Sequence, residues 1–187
     1  MDKVRLLFDN VAEISGNDNI AIITLTDELK MRVISIVCDM QIAVALKMRM
    51  HDEGITKTML PEVAVRMLRA KGNLDYELLI SGIDDGQYEA MLVDKVTGMQ
   101  FAVRISDGIL FSVVADIPVY MEQNLMERQS VANMHNTNGV SVPVNIISVP
   151  MLEESLKKAI EEENYEMASK LHSELERRKK NHDKEEL

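Results

Sequence analysis

The order in which strand-type and helix-type patterns follow one another is the strongest constraint on how this chain folds. From Lys3 to Cys38 the sequence is rich in β-branched residues and is broken by turn signals at 15–19 and 27–30, which predicts three strands. Gln41–Met50 has almost no polar interruption and predicts a mostly buried helix. This alternation continues downstream and predicts an α+β fold with a mixed, largely antiparallel sheet and about three packed helices.

The middle of the chain repeats the same alternation. Pro61 suits the first turn of a second helix, with Gly72 as its C-terminal cap. Leu60, Val63, Ala64, Met67 and Leu68 fall on one face of that helix, which we expect to be buried. Further predicted strands, helix and strand follow at Tyr76–Ile83, Gln87–Asp94, Met99–Ile105, Ser106–Ala115 (helix) and Ile117–Gln123. Ser106 or Asp107 is the expected N-cap of that third helix.

The C-terminal fifth differs in composition from the rest. Residues 131–150 are polar and rich in Asn, Gly and Pro, which predicts a linker. From Met151 onward the chain is rich in Glu and Lys and lacks Gly and Pro, which predicts helix, with a bend at 161–164. The predicted organisation is therefore a domain over 1–130, a linker over 131–150 and a helical hairpin over 151–182.

Charge and cysteine content exclude several classes of protein. The net charge of -10 removes the general positive field that draws proteins to nucleic acid or anionic membranes, so any nucleic acid contact must be local. The single cysteine, Cys38, excludes an internal disulfide, and its apolar neighbours beside Asp39 predict a buried thiol with a raised pKa. We find no signal peptide or membrane-spanning segment and expect a cytoplasmic protein.

The hairpin and the larger region each resemble a known family. Residues 159–175 resemble the UVR motif, a short antiparallel hairpin that contacts other proteins, and the matching residues Tyr165, Ala168, Leu171 and Leu175 are the implied partner-binding residues; His172-Ser173 replaces the usual Arg-Asp. Residues 22–131 resemble the bifunctional nuclease (BFN, DUF151) domain of bacteria. That resemblance includes CDMQIAVAL (38–46), DDGQYEAMLV (84–93) and VRISDGILFSVVADIPVYMEQNLMER (103–128). The usual Arg-Pro-Ser-Asp-Ala becomes Arg104-Ile105-Ser106-Asp107-Gly108, and Leu60-Pro61 replaces the usual Thr-His.

Two strand-to-helix junctions carry the candidate chemistry. Arg104 and Ser106 precede a helix, whose start has free amides that suit a phosphate, and Arg104 can add a bidentate contact. Asp39 and Asp107 would hold one Mg²⁺ or Mn²⁺ as catalytic and metal ligands if both junctions lie at the same edge of the sheet. The alternative is that Asp39, Ser106 and Asp107 only cap their helices, with Arg104 a surface residue.

Two functions are therefore compatible with the sequence. The family resemblance implies a nuclease acting on DNA or RNA with a divalent cation. The acidic charge, the 4% aromatic content and the missing Thr-His pair favour a non-enzymatic adaptor that recruits a partner through its hairpin. Five methionines around the first two helices fill a core or form the interface of a homo-oligomer: Met40, Met48, Met50, Met59 and Met67.

Overall fold

The structure is a computed structural model that describes residues 2–14, 17–51, 54–72, 74–84 and 86–133, together with residues 153, 156, 157, 159, 160, 165, 168, 169, 171–173, 175 and 176. Eight strands form one sheet, and helices pack against it. This confirms the predicted α+β class and the mixed, largely antiparallel sheet. No helix among the described residues is long and apolar enough to cross a membrane.

The strands and helices follow the predicted alternation. The strands are β1 (Lys3–Ile14), β2 (Asn17–Asp27), β3 (Arg32–Asp39), β4 (Tyr76–Asp84), β5 (Gln87–Asp94), β6 (Gln100–Arg104), β7 (Val119–Glu122) and β8 (Val131–Ala132). The helices are α1 (Met40–Met50), α2 (Leu60–Lys71), α3 (Ile105–Ala115) and α4 (Gln123–Gln129), with a 3₁₀ turn at Ile55–Thr58.

Two antiparallel strand groups meet at the centre of the sheet. The order across it is β6-β5-β4-β7-β1-β2-β3-β8. The pairs β1–β2, β2–β3, β1–β7, β3–β8 and β5–β6 are antiparallel, and β4–β7 is parallel. The parallel pair needs a long crossover, which the segment through α3 supplies.

The helices cover the apolar side of the sheet. Ile23, Ile36 and Leu46 are among the fully buried side chains of β2, β3 and α1. The helix α3 approaches the sheet closely at Gly108, where an added Cβ would lie 2.7 Å from Cδ1 of Leu78. This close approach fixes the first turn of α3, and with it Arg104, against the sheet.

Several local predictions were wrong. Only Val65 is buried on α2, where it packs with Ala115 and Ile117, so the predicted face of Leu60, Met67 and Leu68 lies outside. The reason is that α2 contacts the domain along a narrow stripe, and an apolar residue next to that stripe stays exposed. None of the five methionines around α1 and α2 is buried, which contradicts the core alternative. The helix α4 and the strand β8 were not predicted.

The C-terminal residues belong to a second compact unit, which consists of Ile83–Gln87 and Ser141–Leu187. Its described residues on both sides of the predicted bend are helical. Ala159, Ala168, Leu171 and Leu175 form one apolar cluster, against which Leu156 packs. The predicted linker lies outside the described residues from 134 to 150, and the predicted domain boundaries stay predictions.

Candidate functional site

The two predicted junctions meet in space. The guanidinium of Arg104 donates from Nε to Oδ2 of Asp107 at 2.5 Å and from Nη1 to Oδ2 of Asp39 at 3.1 Å. We call these three residues the Arg104 cluster. Its side chains are accessible: that of Arg104 is 65% exposed, and both aspartates are partly exposed.

Curvature of the sheet brings the cluster together. Asp39 ends β3 and Arg104 ends β6, and these strands are six positions apart in the sheet order. At about 4.8 Å for each position, a flat sheet would separate them by roughly 29 Å. The 3.1 Å contact between Arg104 and Asp39 therefore requires the sheet to curl, so that α1 and α3 begin side by side.

Asp39 has two simultaneous contacts, one for each carboxylate oxygen. Its Oδ1 accepts a hydrogen bond from the backbone N–H of Ile42 at 3.0 Å and so caps α1, while Oδ2 accepts from Arg104. The cap interpretation and the cluster interpretation of Asp39 are thus compatible.

The start of α3 differs from the predicted one. The helix begins at Ile105 with Arg104 as N-cap residue and has no side-chain cap, so the prediction that Ser106 or Asp107 caps it was wrong. Both residues lie in the first turn instead, where Ser106 is buried and Asp107 is turned to Arg104. The physical reason is that Asp107 accepts from a guanidinium rather than from the backbone amides of the helix start.

Electrostatics keep Arg104 charged and its neighbour Cys38 neutral. The hydrogen bond to Asp107, with the charges of Asp107 and Asp39, raises the pKa of the Arg104 guanidinium. Burial, assisted by the charge of Asp39, raises the pKa of the Cys38 thiol to about 11. Cys38 is buried and free, which confirms the predicted inert thiol and excludes it as a nucleophile near neutral pH.

Glu89 is a neighbour of the cluster that the sequence did not predict. In the β5–β6 register it lies directly opposite Arg104. Its carboxylate lies over Gly82 instead, where an added Cβ would be 2.3 Å from its Oε2, so glycine is needed at 82. The signal that could have found it is the strand pairing itself, since residues opposite each other share a face.

Other predicted residues lie elsewhere. Asp84 ends β4 and Gly86 has a positive φ of 76°, as the turn interpretation of that segment requires, while Asp85 is outside the described residues. Ala168, Leu171 and Leu175 are buried in the apolar cluster of the C-terminal unit, whereas Tyr165 is exposed. Their role in partner binding stays a prediction. His135 and His182 lie outside the described residues.

The donor set suits a hard cation with few protein ligands. Among the described residues, no group of three or more His, Cys, Asp or Glu side chains could hold a metal ion. Asp39 and Asp107 nevertheless offer two carboxylates beside one accessible guanidinium, and Mg²⁺ is commonly held by one or two carboxylates with water and substrate phosphate. The cluster therefore fits a cation that substrate helps to bind.

Sequence comparison decides the family. The sequence profile of the bifunctional nuclease domain matches residues 23–134, which is more than half of the chain and includes the whole Arg104 cluster. The chain belongs to the bifunctional nuclease domain family. No curated protein matches it. Membership indicates a nuclease-like function for this BFN domain, and the C-terminal unit lies beyond the matched residues.

Proposed function

We propose that this protein hydrolyses phosphodiester bonds of DNA or RNA at the Arg104 cluster, with Mg²⁺ or Mn²⁺ as cofactor. The observation that carries the proposal is the placement of an accessible guanidinium between two carboxylates, at the point where two helices begin. The family to which the BFN domain belongs supports the nuclease assignment.

Arg104 has hydrogen-bonding capacity left for a phosphate. A guanidinium has five N–H donors, and the contacts with Asp107 and Asp39 use one on Nε and one on Nη1. The free N–H groups on Nη1 and Nη2 lie on one edge, which matches the bidentate geometry of phosphate. The two aspartates thus hold the guanidinium in place while this edge binds substrate.

The start of α3 adds a second phosphate contact. Because no side chain caps this helix, the backbone amides of its first turn are available to an anion, and the helix dipole favours negative charge there. The buried Ser106 fixes that turn against the domain. Arg104 and these amides together would stabilise the charge that develops on the phosphoryl oxygens.

The carboxylates supply the remaining chemistry. Asp39 and Asp107 would hold the cation, which polarises the phosphodiester and lowers the pKa of a bound water when present. Each carboxylate oxygen has more than one lone pair, so an oxygen that accepts from Arg104 can also act as a ligand. Asp39 keeps its position because its other oxygen caps α1.

The test measures cleavage by the purified full chain and by Asp107→Ala. Labelled single-stranded and double-stranded DNA and RNA are incubated with Mg²⁺, Mn²⁺ or EDTA. We expect cleavage only with the cations and a loss of cleavage in Asp107→Ala at an unchanged Tm. Asp75→Ala is the matched control, since Asp75 is equally exposed and forms a surface ion pair with Lys95. Equal cleavage by Asp107→Ala and Asp75→Ala overturns the proposal and identifies a contaminating nuclease.

A second function is supported by the C-terminal unit. We propose that its UVR-like hairpin recruits a partner protein, because Ile160 and Tyr165 are exposed although they lie on helical segments with an apolar cluster. Ile160 also lines a groove of about 310 Å³ together with Leu156 and Leu175. Large apolar side chains at a groove are typical of sites that bind a helix.

The adaptor function predicts a separate mutational outcome. The double variant Ile160→Ala/Tyr165→Ala should lose a co-purifying partner and keep the nuclease activity. Leu29→Ala, which removes a highly exposed apolar side chain of the β2–β3 turn, should keep both. Retention of the partner by the double variant contradicts the adaptor function.

A further inference from the structure

The strand β6 is an open edge of the sheet. It stands at one end of the strand order, and no described strand pairs with its outer side. The opposite end is β8, which has only two residues. A short terminal strand protects a sheet against association, whereas β6 offers five residues of strand backbone.

The hairpin register determines which backbone groups of β6 face outward. The N–H of Asp94 donates to the carbonyl of Met99 at 2.9 Å, so residues 94 and 99 form a hydrogen-bonded pair. Hydrogen-bonded and non-hydrogen-bonded pairs alternate in an antiparallel ladder. The next hydrogen-bonded pairs are therefore Leu92 with Phe101 and Ala90 with Val103. The N–H and C=O groups of Gln100 and Ala102 consequently point away from β5.

This edge lacks the usual protection against pairing. Residues 100–103 are uncharged and contain no proline, and the β5–β6 register has no bulge. Phe101 is 45% exposed, although its ring lies 6.4 Å from that of Tyr76. In a chain with a net charge of -10, an uncharged edge with an exposed aromatic ring is where a second copy can approach without repulsion.

We propose that β6 pairs with β6 of a second copy, antiparallel, about a two-fold axis at Phe101. In this register Gln100 lies opposite Ala102 of the second copy, and the reciprocal pair repeats the contact, which gives four main-chain hydrogen bonds. Phe101 lies opposite its own equivalent in a non-hydrogen-bonded pair, where side chains come closest. An axis nearer to Arg104 would direct the second strand against the start of α3 at Ile105.

Self-complementarity is the reason for choosing a second copy as the occupant. A two-fold axis makes every outward donor on one strand meet an acceptor on the other, and it covers both exposed Phe101 rings at once. The proposal is independent of the nuclease function and names a surface different from the methionines of α1 and α2.

Disulfide trapping tests the register. In Phe101→Cys the two thiols lie in a non-hydrogen-bonded pair, whose Cα separation of about 4.5 Å permits a disulfide. With oxidised glutathione at micromolar protein, we expect most of this variant to cross-link. Val131→Cys on β8 is the matched control, because Val131 is also 45% exposed, and it should remain uncross-linked. Wild type reports on Cys38, which is buried.

The oligomeric state supplies the second arm. Sedimentation of the wild-type chain should give a dimer, and Ala102→Pro should give a monomer with an unchanged circular dichroism spectrum, since the lost N–H serves only the outer edge. A monomeric wild type at tens of micromolar overturns the proposal. A dimer that survives Ala102→Pro, or equal cross-linking of Phe101→Cys and Val131→Cys, also overturns it.

Discussion

Two arginines of the BFN domain contact carboxylates in opposite surroundings. Arg49, at the end of α1, donates to both carboxylate oxygens of Glu62 at the start of α2, at 2.7 and 2.8 Å, and its side chain is only 7% exposed. Arg104 contacts Asp107 and Asp39 at comparable distances, but its side chain is 65% exposed. The contacts are chemically alike, and solvent access separates them.

Burial determines what each ion pair does. Neither partner of the Arg49–Glu62 pair has easy access to water, so each depends on the other, and Nε of Arg49 is buried without a hydrogen-bond partner. That pair joins α1 to α2. The Arg104 cluster is screened by solvent and contributes little to stability, which leaves it able to accept a phosphate at small cost.

Removal of Arg104 should produce the largest effect, and on activity alone. We expect Arg104→Ala to lower kcat for phosphodiester cleavage by about 100- to 1,000-fold, as for the loss of one donor that stabilises developing charge. Its free energy of unfolding should change by less than about 0.5 kcal/mol, because the side chain is exposed. Urea unfolding and a cleavage assay measure both quantities. A destabilisation equal to that of the buried pair would remove the contrast between the two arginines.

Loss of the buried carboxylate should act on stability. We expect Glu62→Gln to lower the free energy of unfolding by about 3 kcal/mol, since it leaves the Arg49 charge buried without its counter-ion. Glu13→Gln is the matched control: Glu13 pairs with Lys47 of the same helix α1, but in solvent, and its loss should cost less than about 0.5 kcal/mol. Similar losses for Glu62→Gln and Glu13→Gln would show that burial does not separate these pairs.

The thiol next to Asp39 should make stability depend on alkaline pH. The pKa of Cys38 is about 11 in the folded protein against an ordinary 9.0, so the unfolded state releases its proton first and stability falls as pH rises through this window. Between pH 9 and 10 the loss should be about 1 kcal/mol. Cys38→Ala should remove this part of the pH dependence. An identical slope in wild type and variant contradicts the assignment.

The sequence predicted the parts of the site better than their meeting. Asp39 was identified at a strand-to-helix junction because a carboxylate is favoured there, and it does cap α1. The contact between Asp39 and Arg104 depends on curvature accumulated over six strand positions, which no local pattern encodes.

The errors have a related origin. The predicted apolar face of α2 counted residues by helical spacing, whereas burial there follows the single contact of Val65 with Ala115 and Ile117. The Arg49–Glu62 pair was not predicted because its residues are 13 apart and belong to different helices. A charge pattern within one helix predicts neighbours at three or four residues, and no such rule reaches from one helix to the next.

Asp39→Asn should have the smallest effect on stability and separates the two contacts of this side chain. Asparagine caps a helix about as well as aspartate, so the free energy of unfolding should change by only a few tenths of a kcal/mol, against about 1 kcal/mol for Asp39→Ala. The amide removes the negative charge that faces Arg104 and the cation, so cleavage should fall in both variants. If Asp39→Asn keeps full cleavage while Asp39→Ala loses it, Asp39 acts on the reaction only through the position of α1, and the proposed cation ligand is wrong.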